Sequence, residues 1–99
     1  MAADLLRSFM KKRRNYKELL LSLCFQYGAK IQEYQYFEKL FGDFRVVIEY
    51  KGMIYTITTD KGDIYLGTRL ICNSSYHKAG NDDTFDMLIC VIKRSIFND

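Results

Sequence analysis

Three cysteines, at 24, 72 and 90, and a single histidine, His77, are the side chains best equipped for nucleophilic or metal chemistry. A Cys72/His77 nucleophile pair would need the thiolate within hydrogen-bond reach of the imidazole, together with an oxyanion site. Their separation along the chain reports no such geometry. A packed strand-end cysteine and a solvated loop histidine account for both. Four ligand atoms would also suit zinc, yet Cys24 and Cys90 fall inside helical patterns, and no C-x-x-C or H-x₃₋₅-H pair occurs. Asp82 and Asp83 can be imagined as paired carboxylates, but at the start of a helical pattern they read as helix caps. Neither G-x-x-x-x-G-K-[ST] nor G-x-G-x-x-G is present, so the glycines serve turns rather than phosphates. The expectation is a chain with no catalytic residue, no metal and no cofactor.

Contact chemistry is better represented. The chain has 8 tyrosines and no tryptophan, and tyrosine brings a large contact area with little entropy to lose. Tyr34, Tyr36, Tyr50, Tyr55 and Tyr65 fall on strand patterns, where an aromatic ring also simply suits a half-buried sheet. The candidate protein-binding residues are Tyr34 and Tyr36 on a strand, with Tyr76, His77 and Lys78 in the polar loop that follows Cys72. An aromatic sheet face suggests an RNA-binding platform, but the pattern of glycine-flanked aromatics and clustered basic residues is missing.

The net charge of +3 divides unevenly. Arg7, Lys11, Lys12, Arg13 and Arg14 stand against Asp4 in the first fourteen residues, whereas the remainder is slightly acidic. Leu5, Leu6, Phe9 and Met10 recur there at helical spacing. Residues 1–14 therefore form a basic amphipathic segment. It reads as a helix docked on the domain with solvated cations, as a contact to phosphates or anionic lipid, or as a frayed terminus. Arg7, Lys11, Lys12, Arg13 and Arg14 are the candidate nucleic-acid-binding residues.

The elements that must position these groups centre on FRVVIEYKGMIYTITTDKGDIYLGTRLIC, residues 44–72. Val46, Ile48 and Tyr50 alternate with Arg45, Val47 and Glu49, the period of two of a half-buried strand. Lys51-Gly52 marks a hairpin into the β-branched run from Met53 to Thr59, and Asp60-Lys61-Gly62-Asp63 marks a second turn. Ile64 to Leu66 and Arg69 to Cys72, interrupted by Gly67, read as a third strand of this stretch with a bulge or as two short ones. Upstream, Asn15 with Glu18 starts a helix whose stripe is Tyr16, Leu19, Leu20, Leu23, Cys24 and Tyr27, and Gly28 ends it. Leu21 and Phe25 widen the stripe, which favours burial on two sides. Residues 30–37 suit a helix or a strand, and the Tyr34/Tyr36 alternation with short flanking connections selects a strand. After the loop, Phe85, Leu88, Ile89, Ile92 and Ile96 line a second helix, with Lys93 and Arg94 at its negative end.

These elements predict an α+β fold: a four-stranded antiparallel meander with an N-terminal and a C-terminal helix packed on one face. Residues 15–99 make a single domain, and 48% hydrophobic residues supply a core without disulfide staples. No run of about 18 apolar residues occurs, so no membrane span is expected. The start has its charges after its short apolar run, the reverse of a secretory signal. Cytoplasmic residence with reduced thiols is the corresponding expectation.

The order of elements, with Y-G-A-K-I-Q-E-Y leading into a strand, T-D-K-G-D-I-Y in the meander and D-D-T-F opening the last helix, resembles small α+β immunity proteins encoded beside bacterial polymorphic toxins. The resemblance implies a small cytosolic, non-catalytic protein that occludes a toxin's active site by stoichiometric binding. It carries no signature residues to transfer. Inhibitors of this kind directed at nucleases are often strongly acidic, and this chain departs from that, which argues against nucleic-acid mimicry. The expected partner is another protein, a toxin or a host enzyme bound by an immunity-type or phage-type inhibitor. The alternative from a different class is a nucleic-acid-binding accessory or regulatory protein using residues 7–14. A homodimer through the C-terminal helix is a further option.

Overall fold

The structure is a computed structural model that describes residues 14–40 and 42–99; Arg7, Lys11, Lys12 and Arg13, with the apolar pattern of residues 5–10, lie outside the described residues. Helix α1 spans Tyr16–Tyr27. Its first turn is closed by Asn15, whose side-chain oxygen accepts from the Glu18 N–H at 3.1 Å. Its last turn is closed at the left-handed Gly28, with the Ala29 N–H donating to the Cys24 carbonyl at 2.8 Å. Leu20, Leu23 and Cys24 are buried. Leu21 and Phe25 are not: Phe25 is 86% exposed, so the widened stripe does not bury on two sides among the described residues.

Strands β1 (Lys30–Phe37), β2 (Asp43–Tyr50), β3 (Met53–Asp60), β4 (Asp63–Leu66) and β5 (Arg69–Cys72) follow, each antiparallel to the next, in the order β1-β2-β3-β4-β5. The sheet therefore has five strands rather than the expected four. The physical reason is Gly67, whose φ of 63° opens a two-residue reversal with Thr68. Its N–H also donates to the Thr56 carbonyl at 2.8 Å, holding the turn to β3. A glycine in the first central position is what such a hairpin turn requires. Of the two readings of this stretch, the two short strands hold; a separate register shift lies between Ile64 and Tyr65 opposite β5.

Alternation along the strands sends Phe44, Val46, Ile48, Ile57 and Ile64 into one cluster with the buried residues of α1 and of helix α2, Asn81–Ser95. Both helices thus supply one core on one sheet face. From α2 the buried residues are Thr84, Phe85, Leu88, Val91 and Ile92; Ile89 is half-buried. Two aromatic groups bracket α1. At its start, Phe44 meets Tyr16 at 5.2 Å, Tyr36 at 4.8 Å and Phe85 at 5.6 Å between ring centroids. At its end, Tyr27 stacks on Phe97 at 4.3 Å, and its hydroxyl donates to the Asp99 carboxylate.

The buried thiol of Cys24 is pushed up from 9.0 to about 11 by desolvation. The folded state therefore holds a proton that the unfolded chain releases first. The associated stability is complete below about pH 9 and is lost as pH rises through about 11. The Tyr16 and Tyr27 phenols are also raised above 10.0, Tyr16 mainly by desolvation and then by its bond to Asp82, Tyr27 mainly by its bond to Asp99. Urea unfolding at pH 7.5, 9 and 10.5 is expected to show little change over the first interval and a clear fall over the second. Cys24→Ala should shrink that fall and leave the part carried by the tyrosines. A flat profile in the parent protein would contradict this account.

Among the described residues, no helix is long and apolar enough to cross a membrane.

Candidate functional site

The loop after β5 crosses one end of the sheet and is pinned as it goes. Asn73 accepts from the Ser75 N–H at 2.9 Å, and the Ser74 N–H donates to the Asp63 carboxylate at 2.7 Å. A single 3₁₀ turn, Ser74–Tyr76, is closed by the His77 N–H donating to the Ser74 carbonyl at 3.1 Å. Farther on, the Gly80 N–H donates to the Thr84 hydroxyl oxygen at 3.1 Å. Where the β1–β2 connection approaches the start of α2, Gly42 has a φ of 69°, a left-handed conformation that favours glycine, and a Cβ there would also displace the Asn81 carboxamide.

This folding turns the side chains of Tyr76, His77 and Lys78 to different uses. The Tyr76 ring projects outward, 77% exposed. Lys78 is exposed. His77, expected to be solvated, is half-buried, and both of its ring nitrogens are shielded from solvent with no hydrogen-bond partner among the described residues.

Tyr34 and Tyr36 lie elsewhere. Both are half-buried on β1, and Tyr36 is stacked on Phe44. Desolvation raises both phenols above their ordinary value, followed for Tyr34 by the neighbouring Tyr36 and for Tyr36 by Glu38 and Asp82. They line a shallow depression of about 380 Å³ with Arg14, Asn15, Tyr16 and Lys17. β1 is one edge of the sheet and β5 the other, a separation of about 19 Å at ordinary strand spacing. Tyr76 in the lining of the β5–α2 cleft and the Tyr34/Tyr36 pair on the opposite edge strand therefore belong to separate surfaces.

Arg14, grouped by sequence with the basic segment, is engaged by the fold. Its guanidinium reaches Asp86 at 2.9 Å and Asp82 at 3.7 Å and lies over the Phe85 ring at 5.2 Å. Tyr16 donates to the same Asp82 at 2.7 Å. Asp82 thus ties the start of α2 to the start of α1. The α2 N-cap is Gly80, without a side-chain cap bond, so neither Asp82 nor Asp83 caps the helix through its side chain. Both still sit in its first turn, where the dipole favours them.

A cleft joins β5 to α2. It measures about 530 Å³ and is lined by Leu70, Ile71, Cys72 and Asn73 on the strand side, Tyr76 from the loop, and Met87, Cys90, Val91 and Arg94 from the helix. Leu70 is 46% exposed at its rim. The Cys72 thiol is raised by desolvation, then by Asp63, with Arg94 opposing and Cys90 adding to the rise. That direction is the reverse of the activation a thiolate nucleophile requires. Cys24, Cys72 and Cys90 are all free thiols. Among the described residues no group of three or more His, Cys, Asp and Glu side chains could hold a metal.

Sequence reasoning passed over Leu70, Met87, Val91 and Arg94 as site residues. Leu70 read as a strand residue and Arg94 as a complement to the helix dipole. Nothing in their local spacing signals the cleft, because its walls are far apart in sequence. A second apolar surface lies on α1, where Leu21 and Phe25 flank a depression of about 340 Å³ with Cys24, Ala29, Lys30 and Ile31.

No family model matches this chain, and no match was found among curated proteins or solved structures.

Proposed function

We propose that this chain is a non-catalytic protein-binding module, a stoichiometric inhibitor of the immunity-protein or phage-inhibitor type, that engages its partner through the corner formed by the 73–80 loop, β5 and α2. The observation that carries the reading is Tyr76. A tyrosine ring at 77% exposure, on a loop held by hydrogen bonds at Asn73, Ser74 and His77, stands beside an apolar cleft rimmed by Leu70. Rigid exposed aromatics over an apolar pocket are the usual anchors of protein interfaces, because little entropy is lost on burying them. The engagement of Arg14 with α2 also leaves the alternative, nucleic-acid binding through the basic segment, with one cation fewer on offer.

The test begins with capture from the native host's lysate, with and without nuclease, at about 0.15 M salt where screening is physiological. The inhibitor reading expects one protein retained after nuclease, which then forms a 1:1 complex with this chain when both are purified. Tyr76→Ala should weaken that complex by about thirty-fold, the effect of a hot-spot residue worth about 2 kcal/mol. Phe25→Ala should change it less than about three-fold. The converse pattern would move the interface to α1. Capture lost on nuclease treatment would transfer the function to residues 7–14.

A further inference from the structure

The cleft between β5 and α2 is open on the backbone as well as on the side chains. β5 is hydrogen-bonded to β4 alone, so its outer row of amides and carbonyls has no strand partner among the described residues. The two edges of the sheet differ in how they meet solvent. β1 presents Lys30, Gln32, Glu33 and Gln35 as exposed residues along eight positions, the charged and polar edge that discourages strand pairing. β5 has one charged residue, Arg69, followed by Leu70, Ile71 and Cys72.

On β5 the irregular register inserts Ile71 between the partners of Ile64 and Tyr65, and Ile71 and Cys72 both pack against the core. Across the cleft, Met87 and Val91 supply an apolar wall, and Arg94 stands at its end. Arg94, like Arg69 on the strand itself, forms no ion pair with a carboxylate among the described residues, whereas Arg14 and Arg45 are both ion-paired; of the two, Arg94 is the one that lines the cleft. A short open strand, an apolar trough beside it and an unpaired guanidinium in the trough's lining together select a ligand. An extended chain can use all three, because its backbone pairs with the edge while alternate side chains point into the trough. A carboxylate on that chain would complete Arg94 with a charge-assisted bond.

We propose that this cleft receives an extended segment of the partner protein as a sixth strand on β5, with an apolar side chain between Ile71, Met87 and Val91 and an acidic side chain on Arg94. The proposal rests on the protein-binding reading and specifies the chemistry of the partner.

Phage-displayed random octapeptides selected on the purified chain supply the probe. The expected result is enrichment of sequences that place an apolar residue near an Asp or Glu. The best synthetic peptide should bind Arg94→Glu at least ten-fold more weakly, and selection on Arg94→Glu should enrich Lys or Arg at the acidic position. N-methylation of the peptide amides that face β5 should abolish binding, while N-methylation of those that face away should be tolerated. N-ethylmaleimide on the exposed Cys90 should block the peptide, with the buried Cys24 spared in the folded chain. Circular dichroism confirms that each variant remains folded.

Several outcomes would overturn the proposal: no enriched peptide, indifference to Arg94→Glu, or amide shifts centred on Leu21 and Phe25 rather than on residues 69–73. A dimer by light scattering whose β5 amides are protected without peptide would assign the edge to a second copy instead, and would likewise overturn it. If the captured partner binds Arg94→Glu and the maleimide adduct as well as the parent, the cleft assignment fails while the protein-binding reading stands. If no protein partner forms a complex at all, that reading itself fails.

Discussion

Phe44→Ala is expected to cost about 3–5 kcal/mol, a large share of the 5–15 kcal/mol that holds a domain of this size together. Phe44 is 1% exposed. Its ring joins β2 to β1 through Tyr36, to α1 through Tyr16 and to α2 through Phe85. Truncation removes the transfer free energy of the ring and leaves a cavity at the meeting point of four elements. These cannot all collapse inward together, since each is held by its own hydrogen bonds. Urea unfolding followed by circular dichroism checks the value. The control is Phe37→Ala at the end of β1, where the side chain is 37% exposed and the expected cost is under about 1.5 kcal/mol. A Phe44→Ala cost no larger than that of the control would mean that the aromatic junction is not what closes the core.

Asp43→Ala is the second large effect, at about 2–3 kcal/mol, and it acts through polar rather than apolar loss. Asp43 and Thr59 are both buried. The Thr59 hydroxyl donates to one Asp43 oxygen at 2.9 Å, and the Lys61 N–H donates to the other at 3.1 Å. The Thr59 oxygen in turn accepts from the Phe44 N–H at 2.9 Å. Removing the carboxylate takes the acceptor from two buried or half-buried donors. Asp43→Asn keeps the shape and one acceptor, so it should cost less. A double-mutant cycle with Thr59→Val should give a coupling of about 1–2 kcal/mol, because the two side chains share one network. The effect should reach the candidate site as well. Asp43 steadies the β3–β4 turn, and Asp63 at the end of that turn holds Ser74. Hydrogen exchange in residues 73–80 is therefore expected to quicken in Asp43→Ala. Unchanged exchange there would show that the loop is held without this network.

Much of the fold is written in local patterns. The caps of α1, Asn15 and Gly28, are where a reading of the sequence places them, because capping involves only residues three or four apart. β1 covers residues 30–37 as the tyrosine alternation together with the short flanking connections indicates, because a compact domain leaves little chain for anything but a direct link to the next strand. The strand count differs at Gly67. A bulge and a hairpin turn both favour glycine, and the bond from Gly67 to Thr56, a residue of another strand, selects the turn.

The candidate site is far less legible. Tyr76, His77 and Lys78 stand out as members of a polar loop, but spacing does not distinguish the projecting ring of Tyr76 from the shielded imidazole nitrogens of His77. Tyr34 and Tyr36 look equivalent to Tyr76 in sequence and are not, since the first two face the helices. Arg14 looks like its basic neighbours, and only the approach of α2 reveals Asp82 and Asp86 beside it. What this sequence determines by itself is its two helices and the strands up to Asp60, because helix stripes, caps and strand alternation depend on hydrogen bonds and side-chain periods within a few residues. Only the tertiary structure decides which strand is the open edge, which aromatic rings are left outside and that Arg94 faces Cys72 across a cleft. Those outcomes depend on contacts between separate elements, where spacing within one element carries no information.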